Sequence, residues 1–260
     1  MLITVVTVCY NAGYDLDKTV RSVLEQTYGE FEYVIKDGLS TDGSVERLPA
    51  DPRIRLVREK DGGIFDAMNQ ALHIANGAFI NFLNAGDTFY NDGILQAVAD
   101  SCERHPEVNF FYGNFFKTDS RSNFITVPEK LSRYWVFSHS LCHQAWFLSK
   151  RCQIENGGYS TETGIGGDYL MLLDLVAGKQ VKTQKIDRFL VRYQGGGQSA
   201  NPELMASSVG IRKRKRKEMF TNAEYILFSM MNIAQEMMKR LLYDTVLYRA
   251  VKAYKWKKYS

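Results

Sequence analysis

The sequence predicts an α/β fold, a mixed and mostly parallel sheet flanked by helices, with a helical extension at its C-terminal end. Three observations lead there. Short β-branched runs alternate with segments of helical period up to about residue 112. The strand-like runs end in polar residues, and the net charge changes sign along the chain.

Leu2-Ile3-Thr4-Val5-Val6-Thr7-Val8 is short and apolar enough for a buried parallel strand. Leu16, Val20, Val23 and Leu24 then recur at helical spacing. A second strand, Phe31 to Ile35, ends at Asp37-Gly38, and a third, Ile54-Arg55-Leu56-Val57, follows a turn containing proline. Ile64, Met68, Ala71, Leu72 and Ala75 mark one face of the next helix, with Gly77 expected as its C′ glycine. Phe79 to Leu83 reads as a strand running into Asn84-Ala85-Gly86-Asp87, and a helix (Ile94 to Arg104) and a strand (Asn109 to Tyr112) close the series. Beyond it lie short aromatic strands, a helix near 168–177, a strand from Arg188 to Tyr193, and the loop Gly195-Gly196-Gly197-Gln198-Ser199.

The 260 residues, 45% of them apolar and 24% charged, suit one large domain or a domain with an appendage. No run of eighteen apolar residues obliges a helix to span a membrane, and no basic segment precedes the first strand to suggest a secretory signal. Cys9, Cys102, Cys142 and Cys152 form no CxxC pair and are expected as reduced thiols of a cytosolic protein. Residues 203–260 hold 13 Lys+Arg against 5 Asp+Glu, a balance of +8, which leaves −4 in residues 1–202. The chain is therefore expected to divide near Asn201-Pro202 into a sheet-forming unit (1–202) and a basic tail (203–260).

The tail opens on Arg212-Lys213-Arg214-Lys215-Arg216-Lys217 and continues as an amphipathic helix carrying Tyr225, Phe228, Met231, Met237 and Leu241. Such a run can be a solvated helix face, a nucleic-acid patch or an anchor on an anionic membrane. Nothing elsewhere supplies base recognition, so nucleic acid is not expected, and the membrane fits best. The apolar stripe could also cover the sheet-forming unit or a second subunit.

In open α/β sheets ligands bind beyond the carboxyl ends of the strands. That rule selects Cys9-Tyr10-Asn11, Asp37 to Gly43, and Asn84 to Asp87, together with Glu59 to Asn69, where Gly62-Gly63 precede a helix N-terminus suited to anions. Taken singly, each acid could instead cap a turn.

Together these residues resemble the inverting family 2 glycosyltransferases of GT-A fold, a Rossmann-like sheet. Val6 to Asn11, Asp37 to Gly43, Asp61 to Asn69 and Phe82 to Asp87 occur in the family's order, and the resemblance covers about residues 1–200. Within the family the chain is most similar to bacterial enzymes that build capsule, exopolysaccharide or lipopolysaccharide. The resemblance implies that Thr7, Tyr10 and Asn11 surround the nucleotide base and that Asp37 accepts a hydrogen bond from uracil, hence a UDP-sugar donor. Asp61 matches a further donor-site acid and Asn69 a polar position on the following helix. Asp87 matches the last acid of the motif that holds Mn²⁺ or Mg²⁺ on the donor diphosphate. Where the family has two adjacent acids this chain has Gly86-Asp87, and its first acid is replaced by Asn84, so the ribose contact and part of the metal shell must come from elsewhere.

Asp168, in Gly166-Gly167-Asp168-Tyr169, matches the family's base, which takes the acceptor hydroxyl's proton; by itself it would read as a helix N-terminal acid. His143 and Trp146 fall where relatives line the acceptor or diphosphate side, though a lone His is more often structural and a lone Trp more often core. Gly195 to Ser199 resembles the segment that closes over the donor phosphates. The expected function is metal-dependent, inverting transfer from a UDP-sugar to a saccharide acceptor, expected to be lipid-linked. The expected location is the inner face of the cytoplasmic membrane, peripherally bound, with a homo-oligomer open. The alternatives are a sugar-1-phosphate nucleotidyltransferase, although no Gly/Arg-rich phosphate loop follows the first strand, and a non-catalytic nucleotide-sugar-binding or scaffolding protein.

Overall fold

The computed structural model describes residues 3–118, 123–162, 165–179, 181–195 and 201–242. In chain order the elements begin β1 (Ile3–Cys9), α1 (Tyr14–Leu24), β2 (Phe31–Asp37), β3 (Ile54–Arg58), α2 (Ile64–Ile74) and β4 (Phe79–Phe82). There follow β5 (Thr88–Phe89), α3 (Ile94–Arg104), β6 (Phe110–Thr118), β7 (Asn123–Ile125), α4 (Arg133–Ser138), β8 (Trp146–Ser149), α5 (Lys150–Glu155) and α6 (Gly167–Leu173). Last come β9 (Thr183–Gln194), α7 (Pro202–Met219) and α8 (Asn222–Leu242).

The strands form one mixed sheet in the order β3-β2-β1-β4-β8-β6-β9-β5, with β7 on the flank of β6. It is parallel from β3 to β4 and again between β6 and β9. β8 enters antiparallel between β4 and β6. The aromatic stretch beyond residue 113 hides this reversal, because a run buried on both faces carries no period that reveals strand direction.

β1 shows how the sequence supports two layers. Ile3, Val5 and Cys9 point to one face, where α1 and α3 cover them; Val6 and Val8 point to the other, under α2, α4 and α6. A strand buried on both sides needs apolar residues at odd and even positions alike, hence its β-branched run. Gly77 departs from its expected role. α2 ends on an extended Ala75, and Gly77 sits where a Cβ would be 2.5 Å from the Thr4 backbone nitrogen. Close approach to β1 requires the glycine, not a left-handed cap.

The extension is packed onto the sheet domain. Asn201 caps α7, accepting from the Glu203 backbone N–H at 2.9 Å, with Pro202 opening the helix. Thr221 and Glu224 form a reciprocal capping box at the start of α8. Between the helices Phe220 is 4% exposed and meets Phe137 and Phe228 edge-on, and Phe137 meets Tyr225 in the same way. Arg133 of α4 pairs with Glu224 at 2.8 Å. The charge boundary near residue 202 is thus crossed by a shared core.

Candidate active site

The parallel register places Cys9 beside Asp37 and Val6 beside Phe82, so the loops after β1, β2 and β4 open on one edge. Asn11, in the left-handed region at φ 49°, turns the first loop. Its N–H donates to Ser40 Oγ at 2.8 Å, and its Oδ1 accepts from Thr41 N–H at 2.9 Å. These bonds stitch the first loop to the second.

Behind that edge, several residues expected at the nucleotide have structural partners instead. Thr7 is fully buried, bonded to the Tyr33 hydroxyl and donating to the Leu83 carbonyl, each at 2.8 Å. Asp37 is also fully buried. It accepts from the Ser40 N–H and hydroxyl and from Arg58 Nε at 3.0 Å, so both of its oxygens already have partners. Asn69 clamps Tyr159, donating to its carbonyl at 2.9 Å and accepting from its N–H at 2.8 Å. Trp146 is 1% exposed and packs edge-on to Phe110 at 5.3 Å, which makes it core and not a sugar platform. Tyr159, stacked on Phe65, is buried likewise.

Tyr10 and Asp61 do face the opening. Tyr10 is 67% exposed. A Cβ on Gly38 would fall 2.7 Å from Asp61 Oδ2 and 3.5 Å from the Tyr10 ring, so the glycine lets the three converge. Asp61 Oδ1 accepts from the Gly63 N–H at 3.0 Å, while Oδ2 has only Lys36 at 3.4 Å.

The loop after β4 carries Asn84, Gly86 and Asp87. Gly86 adopts φ 98°, which a side chain rarely tolerates, and a Cβ there would be 3.1 Å from Gln194 Oε1. Glycine thus suits the backbone shape at the position where the family has an acid. Asp87 Oδ2 accepts from Gln144 Nε2 at 2.6 Å and Oδ1 from the Gln194 N–H at 2.7 Å. Burial pushes its carboxyl up to about 7, aided by the charge of Asp15; the bonds from Gln194 and Gln144 and the nearby His143 act in the opposite direction. Asn84 Oδ1 is buried without a hydrogen-bond partner. Among the described residues no three His, Cys, Asp or Glu side chains form a metal cage. Cations that bind nucleotide phosphates take one or two protein carboxylates and complete their shell with phosphate and water. The hard oxygens of Asp87 and Asn84 fit a Mn²⁺ or Mg²⁺ of that kind, arriving with a diphosphate.

His143 opens a 3₁₀ turn ahead of β8, and buried Asn81 of β4 holds that turn by donating to the carbonyls of Gln144 and Trp146 at 2.8 and 2.7 Å. Its two ring nitrogens bridge the loop after β4 to α6. Nε2 lies 3.1 Å from Asn84 Nδ2, and Nδ1 lies 3.3 Å from Asp168 Oδ2. An amide nitrogen can only donate and a carboxylate only accept, so the neutral ring carries its proton on Nδ1. Asp168 also accepts from the Tyr169 N–H at 2.8 Å and is one-fifth exposed. Burial raises its pKa, but the hydrogen bond and charge of His143, the Tyr169 N–H and the charge of Arg212 outweigh it, and the carboxyl is lowered overall. The two glycines before it have separate reasons. Gly166 has φ 91°, and a Cβ on Gly167 would sit 2.8 Å from the Ser160 carbonyl oxygen.

The structure thus brings Asn84, Asp87, His143 and Asp168 together and sets Tyr10 and Asp61 on the same edge. Ser199 lies outside the described residues. Sequence reading passed over Gln144, Gln194, Arg58 and Arg212. Gln144 adjoins His143 in sequence, but the others reach the site from distant strands or from α7, with no local pattern to mark them.

Residues 4–155 match the family model described as "Glycosyl transferase family 2". A PGL/p-HBAD biosynthesis glycosyltransferase of Mycobacterium tuberculosis (strain ATCC 25177 / H37Ra) is 30% identical over 145 residues, covering 54% of this chain and 56% of its own. The putative teichuronic acid biosynthesis glycosyltransferase TuaG of Bacillus subtilis is 33% identical over 138 residues, covering 50% and 55%. The chain spans little more than half the length of these relatives. In fold it is similar to TarS of S. aureus, solved with UDP-GlcNAc (TM-score 0.66, 17% identity, 84% of this chain and 71% of that one). It is also similar to the mannosyltransferase PcManGT of Pyrobaculum calidifontis, solved with GDP-Man and Mn²⁺ (TM-score 0.61, 15% identity, 97% and 83%). The shared architecture is the GT-A fold.

Proposed function

The chain belongs to glycosyl transferase family 2, and from that premise we propose that it catalyses inverting transfer of a sugar from a UDP-sugar to a saccharide acceptor of a bacterial surface polymer. The observation that carries this reading is the His143–Asp168 pair set beside Asn84 and Asp87 on the carboxyl edge of the sheet. Tyr10 stacks on the base and Asp61, more open than the fully buried Asp37, accepts from its imino N–H. Asp87 with Asn84 holds the divalent cation, which when bound neutralises the leaving diphosphate. Asp168 takes the proton of the acceptor hydroxyl as that oxygen bonds to the anomeric carbon. The bond from that carbon to the diphosphate breaks on the opposite side, and UDP leaves. His143, holding its Nδ1 proton toward Asp168, fixes the carboxylate's orientation.

For the acceptor we favour a lipid-linked saccharide, met at an anionic membrane surface. No helix among the described residues is long and apolar enough to cross a membrane. The outer part of α8 exposes Met230, Ile233, Met237 and Leu241, each more than 60% accessible, beside Lys239 and Arg240. The family match sets aside the nucleotidyltransferase alternative.

The test is release of UDP from a panel of UDP-sugars, with GDP-mannose as comparison, with and without Mn²⁺. The wild type should turn over a UDP-sugar, and Asp168→Asn should lose about 100-fold or more of that rate. An Asp168→Asn variant with undiminished turnover would refute the base assignment.

A further inference from the structure

The basic run that marks the tail is divided by the fold. Lys213, Arg214 and Lys217 are exposed, whereas Arg212, Lys215 and Arg216 turn toward the sheet domain. Two of the inward three have evident partners. Lys215 pairs with Asp174 at 2.6 Å, and Arg216 Nε donates to the Tyr169 hydroxyl at 2.8 Å. Arg212 has no such partner. Its guanidinium lies 5.1 Å from the Tyr169 ring centre, and its Nε is buried without a hydrogen bond.

Its position is set by Gly166. A Cβ there would be 2.7 Å from Arg212 Nη2 and 2.8 Å from Nε, so only glycine lets the guanidinium rest on the backbone two residues before Asp168. The left-handed turn at Gly166 brings α7 and the start of α6 to this contact.

We propose that Arg212 is a positioning residue of the active site, a permanent cation that its seat on Gly166 and the Tyr169 ring holds beside the turn carrying Asp168. The inference rests on the reading of Asp168 given above. The groups facing Asp168 are His143 from the 3₁₀ turn, Arg212 from α7, Cys142 and Tyr159 from their loops, and Tyr169 on α6 itself. Cys142 is half-buried and Tyr159 buried; burial raises the ionisation of both, and neither brings a positive charge. His143 counts as a cation only while protonated. Arg212 is charged at every working pH, so among these groups it alone brings a positive charge throughout, beside the hydrogen bonds from His143 and the Tyr169 N–H. The tail, in this view, completes the catalytic centre as well as setting its location.

The experiment is the pH dependence of kcat at saturating Mn²⁺ and donor, where a metal-held Asp87 no longer sets the acidic limb, for transfer by the full-length chain, comparing wild type with Arg212→Gln, Arg212→Met and Arg212→Lys. The two neutral variants keep the stem packed on Tyr169, so failure of one to fold leaves the other. Losing a nearby positive charge raises a carboxyl, so the acidic limb should move up by about one pH unit in both neutral variants. It should stay near the wild-type position in Arg212→Lys. A helix contact of purely structural value would lower the melting temperature and leave the limb where it is; that result, with Asp168→Asn inactive, would overturn the inference alone. Wild-type activity in Asp168→Asn would overturn the underlying base assignment as well.

Discussion

Among the site's side chains, those that build it are distinct from those left free to meet a ligand, and carboxylates show the difference most clearly. Asp37 and Asp61 both end sheet-edge segments, and the sequence marks Asp37 as the base reader. The Asp37 oxygens accept from Ser40 and Arg58, whereas Asp61 Oδ2 faces the opening beside Gly38 with the buried Lys36 at 3.4 Å. A hydrogen bond to a charged group contributes about 1.5–3 kcal/mol. Asp61→Asn should therefore weaken UDP binding about tenfold or more, read by calorimetric titration, and also lower the melting temperature, because Lys36 loses its ion-pair partner. Asp37→Asn should act chiefly on the fold, costing about 2 kcal/mol of stability. If Asp37→Asn removed UDP binding from a normally stable protein, the two roles would be reversed. Strand ends are legible from sequence; which acid is already satisfied depends on partners 3 and 21 residues away. Trp146 and Tyr159 illustrate the same gap, since an aromatic residue reads alike whether it lies in the core or at a sugar.

At the scale of elements, the alternation of strands and helices was readable because β1, β2 and β4 are rich in β-branched and aromatic residues and α1 to α3 are amphipathic. The tail was less so. A run of six basic residues has no apolar period, yet its inward positions hold Arg212, Lys215 and Arg216 against α6 and its neighbours. Only the aromatic residues at 220, 225 and 228 hint that the helices join the core. Truncation can separate packing from targeting. Removing residues 233–260 should leave the melting temperature near that of the full chain and abolish sedimentation with anionic vesicles. Removing residues 212–260 also takes out Phe220 and its neighbours and should cost at least the 3–5 kcal/mol typical of a large core aromatic. Vesicle binding that survived the shorter truncation would place the membrane contact elsewhere.

At the scale of the whole molecule, the chain couples its sheet edge to pH through Asp87. A buried acid whose folded pKa is raised stabilises the fold while protonated; that contribution is complete below the ordinary carboxyl value of 3.8 and is lost as pH rises through about 7. Asp87→Asn should accordingly flatten the decline in melting temperature between about pH 5 and pH 8. A cation binding the carboxylate reverses the preference, so Mn²⁺ with UDP should raise the wild-type melting temperature more at about pH 8 than at about pH 6. Equal shifts at both values would dissociate Asp87 from the metal.

The central claim is a single displacement at the anomeric carbon, with Asp168 as base on the face opposite the leaving diphosphate. The configuration of the product tests it most directly. With an α-linked UDP-sugar and an accepted saccharide, proton NMR of the first-formed product should show a β-linkage. An α-linkage in that product would mean retention and would contradict the account.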